Sequence, residues 1–232
     1  METFLIKDLI HQGFDILIGS SAWMGWNLML AIIPLYLSVY LFRDQAIGTR
    51  WLRQRIHGYI PQAIRTSLWS FSVLVFIAFL PNAPYILTDV IHLNRFILEY
   101  NSLWVTGFII APLFVVFIGT GFLAYVLSLI NVGYYLHKQG RGRWIPGVEI
   151  TLHLLCAIGV FVGRFPRLNS WYFVTQPGRV LYTMLHTLLS PAGILGIIVG
   201  FVIITGLYIP TKEIVLALAA YRKKRSTYAI YE

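Results

Sequence analysis

The chain has 232 residues, 58% of them hydrophobic and only 12% charged, with a net charge of +9 and a mean hydropathy of +0.72. A water-soluble domain carries roughly a quarter charged residues, so composition excludes one and leaves room for a single domain of bilayer-spanning helices over 1–232. The single cysteine, Cys156, excludes an internal disulfide and a cysteine-based zinc cluster. The basic residues are scattered over loops and the C-terminal end, so they read as topology determinants and nucleic-acid binding is not expected.

The start, Met1-Glu-Thr-Phe-Leu-Ile-Lys7, has neither a basic n-region nor a small-residue cleavage site, so no cleaved signal peptide is expected. Residues 4–20 alternate apolar positions with Lys7, Asp8, His11 and Asp15, the pattern of a helix lying on a membrane surface. The first span is predicted over 22–42, uncharged, with Pro34 as a kink. A second, from Arg65 to Leu80, is expected to stop at Pro81-Asn82-Ala83-Pro84, which cannot continue a regular helix.

The uncharged run from Tyr100 to Leu136 would be roughly 54 Å long as one helix. Two crossings need about 40 residues plus a turn. One span is therefore predicted, over about 103–128, bending near Pro112 or the Gly119-Thr-Gly121 step. The fourth span, 146–163, contains Glu149 and His153, read as a hydrogen-bonded pair or a proton relay. The fifth covers 192–209. The expected fold is an all-α polytopic bundle of five spans with an N-terminal interfacial helix.

Loop basicity sets the expected orientation. Arg43, Arg50, Arg53, Arg55 and Arg65 follow span one, Lys138, Arg141 and Arg143 follow span three, and Lys212, Arg222, Lys223, Lys224 and Arg225 form the tail. The other side holds Lys7, Arg95, Arg164, Arg167 and Arg179. An extracytoplasmic N-terminus and a cytoplasmic C-terminus follow, in a cell membrane by default. Trp23, Trp26, Trp51, Trp69, Trp104, Trp144 and Trp171 sit near predicted span ends, as in aromatic belts.

Two charged motifs fall on the same, extracytoplasmic side of that topology. One runs Leu80-Pro-Asn-Ala-Pro-Tyr-Ile-Leu-Thr-Asp-Val-Ile-His-Leu93 and the other Gly163-Arg-Phe-Pro-Arg-Leu-Asn-Ser-Trp171. At these motifs the chain resembles a bacterial membrane-protein family known as domain of unknown function 1361. The match lies at Leu80–Tyr85, Thr88-Asp89, His92-Leu93, Gly163–Phe165 and Arg167–Trp171. The family pattern places an acidic residue after that tryptophan, where this chain has Tyr172. The resemblance covers most of 65–210 and implies a multi-span membrane protein without supplying an activity.

Polar groups at the ends of apolar spans mark where function sits. Asn82 supplies donors and acceptors at the broken backbone, Thr88 is placed to cap a following helix, and Asp89 favours its N-terminal end. His92, three residues on, shares a face with Asp89. Arg164 and Arg167 offer two cations, and Asn169 and Trp171 an amide and an amphipathic ring. One reading is a structural clasp, with Asp89 pairing with an arginine. The other is a polar site that recognises a membrane lipid or a partner membrane protein.

Two rivals remain at this level. An interfacial enzyme on a lipid-linked substrate would use Asp89 and His92 as acid–base pair and the arginines as anion clamp. A small transporter is suggested by the broken helix. Asp89, His92 and His186 form a weaker metal set without His-Glu-x-x-His spacing, and no cofactor is indicated. A reporter fused after Glu232 is expected to be active only in the cytoplasm; an extracytoplasmic signal would reverse the assigned topology.

Overall fold

A computed structural model describes residues 2–43, 62–100, 102–164 and 175–228. The fold is all-α, with five helical runs long and apolar enough to cross a membrane: Gly13–Phe42, Thr66–Tyr100, Leu103–Lys138, Gly142–Arg164 and Pro191–Arg222. Large apolar side chains stand exposed along them, including Phe71, Leu103, Val115 and Leu195. In water such surfaces would aggregate; in hydrocarbon they are at no disadvantage. The chain is a multi-pass integral membrane protein.

The five predicted spans are present, each longer than its uncharged core. The front segment is helical but not a separate element: α1 runs unbroken over Glu2–Phe42. Ile16 and Ser20 are buried on it, and the Ser20 hydroxyl donates to Ile16 O at 2.6 Å, so the span begins before the first wholly apolar residue.

The helices group into two compact units, Met1–Ser128 and Leu129–Glu232. In the first unit α1 packs against α2 (Gln62–Phe79) and α3 (Asn82–Tyr85). Phe42 meets Phe76 edge-on, with ring centroids 5.3 Å apart. A 3-10 turn (Ile86–Asp89) leads from α3 into α4 (Val90–Tyr100).

The regular helix stops at Phe79, just before the proline motif, and the helical run resumes at Asn82 and continues to Tyr100. Pro81 precedes α3 and Pro84 lies in its first turn, where N–H groups have no helical acceptor in any case. The carbonyls freed at the break are taken up locally. Asn82 Nδ2 donates to Phe79 O at 2.9 Å, and Ala83 N donates to Leu80 O at 3.1 Å.

The third run begins with α5 (Leu103–Val105), passes through one π-helical stretch (Thr106–Ile110) and continues as α6 (Ala111–Lys138). Pro112 explains the π stretch: it lacks an N–H and crowds the carbonyl one turn earlier. The backbone widens, and Ala111 N reaches back five residues to Thr106 O. The sequence points to a bend near Pro112 or Gly119–Gly121; the structure has a π-helical stretch ahead of Pro112 and unbroken α-helix through Gly119–Gly121. Gly121 packs on Ile86, where a Cβ would collide with the Ile86 side chain.

In the second unit α6 ends in a Schellman turn. Arg141 N donates to Leu136 O, Gly140 N donates to His137 O, and Gly140 takes φ +72°, which glycine adopts without strain. A 3-10 turn (Gly142–Trp144) then starts α7 (Ile145–Arg164). The short α8 (Pro177–Leu189) precedes α9 (Pro191–Tyr228), which packs antiparallel to α7. Ser190 caps α9, accepting from Gly193 N at 3.0 Å, with Pro191 in the first turn.

A Cβ at Gly193 would strike Thr187 O, so this corner requires glycine. Gly193→Ala is expected to destabilise the folded protein in detergent by about 1–3 kcal/mol, the range for overpacking. Gly119→Ala, at a position with nothing within 4 Å, serves as the control and should leave the melting temperature almost unchanged.

Candidate functional site

The first unit carries a polar cluster built across α1 and the restarted second span. Asp89, at the end of the 3-10 turn, is 1% exposed. Asn27 Nδ2, from α1, donates to its Oδ2 at 3.0 Å. One helical turn before Asn27, Trp23 packs its ring against His92 with centroids 4.9 Å apart. Trp23 also meets Phe117 edge-on at 5.6 Å and Phe114 at 6.3 Å. The pairs 27–89 and 23–92 step in opposite directions along the two chains, as antiparallel helices require. Trp23 is therefore a packed wall of the site rather than only a membrane anchor.

Asn82, Asp89 and His92 lie at intervals of seven and three, so they share one face of the second span. Asn82, His92 and Asn27 are half-buried, and Asn27 is the one shown bonded to the buried carboxylate. Asn82 uses its Nδ2 on the broken backbone, and Asn27 uses one N–H on Asp89. Thr88 Oγ1 donates back to Tyr85 O at 2.7 Å, within the turn it sits in.

The other recognised residues stand as follows. Arg164 is the half-buried last residue of α7, in the second unit. Arg167, Asn169 and Trp171 lie outside the described residues. His186 is exposed on α8, its ring 6.0 Å from that of Tyr182. Among the described residues no three His, Cys, Asp or Glu side chains gather as metal ligands, Asp89, His92 and His186 included.

The second unit has its own buried polar cluster, half of which sequence reading missed. Glu149 Oε1 accepts from Tyr208 OH at 2.6 Å, and Lys212 Nζ bonds both carboxylate oxygens at 2.6 and 2.9 Å. His153 is buried, with its ring 4.5 Å from that of Tyr208 in a T-shaped contact. Glu149 and His153 therefore both engage α9. Lys212, read as a tail cation, belongs inside the fifth run. The signal available was the matched spacing: Glu149 and His153 four apart on one span, Tyr208 and Lys212 four apart on another. For the first unit it was Asn27, a lone amide in an uncharged span.

The second cluster closes the α7–α9 seam, and further along it a Cβ at Gly196 would lie 2.7 Å from the Phe161 ring. Taking one partner from such a pair strands the other in apolar surroundings. Glu149→Gln and Lys212→Met are each expected to cost about 2–3 kcal/mol, somewhat below the fully buried range because both side chains keep partial exposure (14% and 22%). Chemical denaturation of both single variants and the double variant measures this; the double should lose less than the sum. Additive losses would mean that the bridge does not operate in solution.

A groove along α1, about 520 Å³ and lined by Gly25, Met29, Ile32, Ile33 and Tyr36 among others, is almost wholly apolar. None of the cluster residues forms its wall. No curated protein and no solved structure matches the chain. The model of one family, described as a protein of unknown function (DUF1361), matches residues 26–206. That segment holds both polar clusters apart from Trp23, Tyr208 and Lys212, together with the proline and twin-arginine motifs. The chain belongs to the DUF1361 family.

Proposed function

We propose that the protein recognises a membrane lipid through the Asn27–Asp89–His92 cluster, taking a headgroup that offers hydroxyl or amine donors. The observation that carries this reading is a buried carboxylate held by the Asn27 amide of the neighbouring helix, with half-buried Asn82 and His92 on the same face of its interrupted span. Intramembrane ionisable residues are expensive to keep and are functional candidates for that reason. At 1% exposure Asp89 acts as a positioning residue: it fixes the Asn27 amide and leaves Oδ1 of Asn27 as an acceptor. Oδ1 of Asn82 and the imidazole of His92 add further acceptors along the strip. These acceptors would pair with the hydroxyl or amine hydrogens of such a headgroup, and the second N–H of each amide and the imidazole N–H with its oxygens.

Arg164, with Arg167, Asn169 and Trp171, is proposed as a headgroup contact suited to an anion. The interruption at Leu80–Pro81 favours one other reading, passage of a small solute, because unwound backbone within a span lines substrate paths in transporters. The expected setting is a cell membrane with the C-terminus cytoplasmic.

Native mass spectrometry of protein released in mild detergent tests the lipid reading. Wild type should retain a lipid at near-stoichiometric occupancy. Asn27→Leu and His92→Leu should lose it at least about tenfold, since each removes one or two hydrogen bonds, while remaining helical and monodisperse. Equal retention in all three would overturn the assignment. Solute uptake into proteoliposomes that is lost in Asp89→Asn, without any bound lipid in wild type, would favour transport.

A further inference from the structure

The second unit gathers basic residues from two separate chain segments at one end, and beyond setting the expected orientation they have no role described above. The α7–α9 register is fixed by Glu149 on Lys212 and by Phe161 beside Gly196. The start of α7 therefore lies beside the 212 end of α9. The end of α6 joins them, since a Cβ at Gly133 would meet Ile145 Cγ2 at 3.6 Å. Arg143 stands about 9 Å beyond Glu149 along the helix axis, and Arg222 about 15 Å beyond Lys212 on its own helix. Arg141, Arg143 and Arg222 are exposed.

Depth places this end at the bilayer surface. Trp144 is 57% exposed, and the Arg143 guanidinium carbon lies 5.9 Å from its ring centroid. Exposed tryptophan beside apolar spans settles at headgroup level, and its ring face attracts a neighbouring cation. α9 has 38 residues, about 57 Å as a helix against a hydrocarbon core of about 30 Å, so its last turns carry Arg222 and the following Lys223-Lys224-Arg225 past the core. Among the described residues of the second unit the carboxylates do not offset this charge: Glu149 is already bonded to Lys212, and Glu213 is the one other.

We infer that Arg141, Arg143 and Arg222 form a basic collar that binds the phosphate headgroups of anionic lipids in the adjoining leaflet. The occupant follows from charge complementarity and from depth. A band of guanidinium groups beside an interfacial tryptophan faces the one layer where phosphates are concentrated, and basic groups there gain from a negative leaflet. The Schellman turn at Gly140 contributes directly. By reversing the chain within a few residues it holds Arg141 and Arg143 at the membrane surface instead of on a long mobile loop.

The test is a lipid competition on the purified full chain in detergent, with bound lipid counted by native mass spectrometry. Wild type should prefer phosphatidylglycerol over phosphatidylcholine. Arg141→Gln and Arg222→Gln should each lower that preference about fivefold, and the triple variant with Arg143→Gln at least about tenfold. Phosphatidylcholine binding and the donor-headgroup lipid held by the first unit should not change. Raising the salt concentration should weaken the preference in wild type and leave the triple variant unaffected. Equal binding of the two lipids, single variants identical to wild type, or displacement of phosphatidylglycerol by millimolar inorganic phosphate would each overturn the proposal. Loss of the first-unit lipid in Asn27→Leu with this preference intact would separate the two sites.

Discussion

Inside a hydrocarbon layer a polar side chain finds no water, so its partner must come from the protein itself. That constraint organises both units. In the first, the Asp89 carboxylate is met by an amide from α1; in the second, Glu149 is met by a phenol and an ammonium from α9. Neither pair is local in sequence, separated by 62 and by 59 or 63 positions. Each therefore fixes which helix faces which, and in what register, in a way that apolar contacts alone specify poorly.

The surrounding packing is consistent with this. Hydrocarbon-facing surfaces give no hydrophobic drive for helices to associate, so close fit carries the seam. On α9 that fit is made by small residues: Gly196 lies under Phe161, and a Cβ at Gly200 would sit 3.7 Å from that of Ala157. In the first unit the Trp23, Phe114 and Phe117 rings do the same around His92. Polar pair and tight contact thus occupy neighbouring turns of the same interface in each unit.

Much of the fold was legible in the sequence because length without charge is a strong signal: all five spans could be placed. Boundaries were less legible. The helix carries on past Pro84 because Asn82 turns its side chain onto Phe79 O, a substitution that composition cannot announce. Likewise α1 runs on through a segment whose charged residues suggested a surface helix, with Ile16 and Ser20 buried and Phe14, Asp15 and Leu17 exposed. At the sites, Asp89 and His92 stood out as ionisable groups, whereas Asn27 and Tyr208 became meaningful only once helix register was known. Lys212 shows the same limit from the other side, since its place near the tail concealed a partner within the span.

The π-helical stretch between Thr106 and Ile110 has a consequence for how this helix varies among its relatives. Such a stretch is geometrically one residue wound into a turn that would otherwise close without it. A relative that lacks both the Pro112 equivalent and one nearby residue would wind as a plain α-helix and still present its Phe114 and Phe117 counterparts to the same neighbours. A single-residue gap aligned over 106–110 is thus conservative, while the same gap over 119–123 would swing the buried Tyr125 face about 100° out of place.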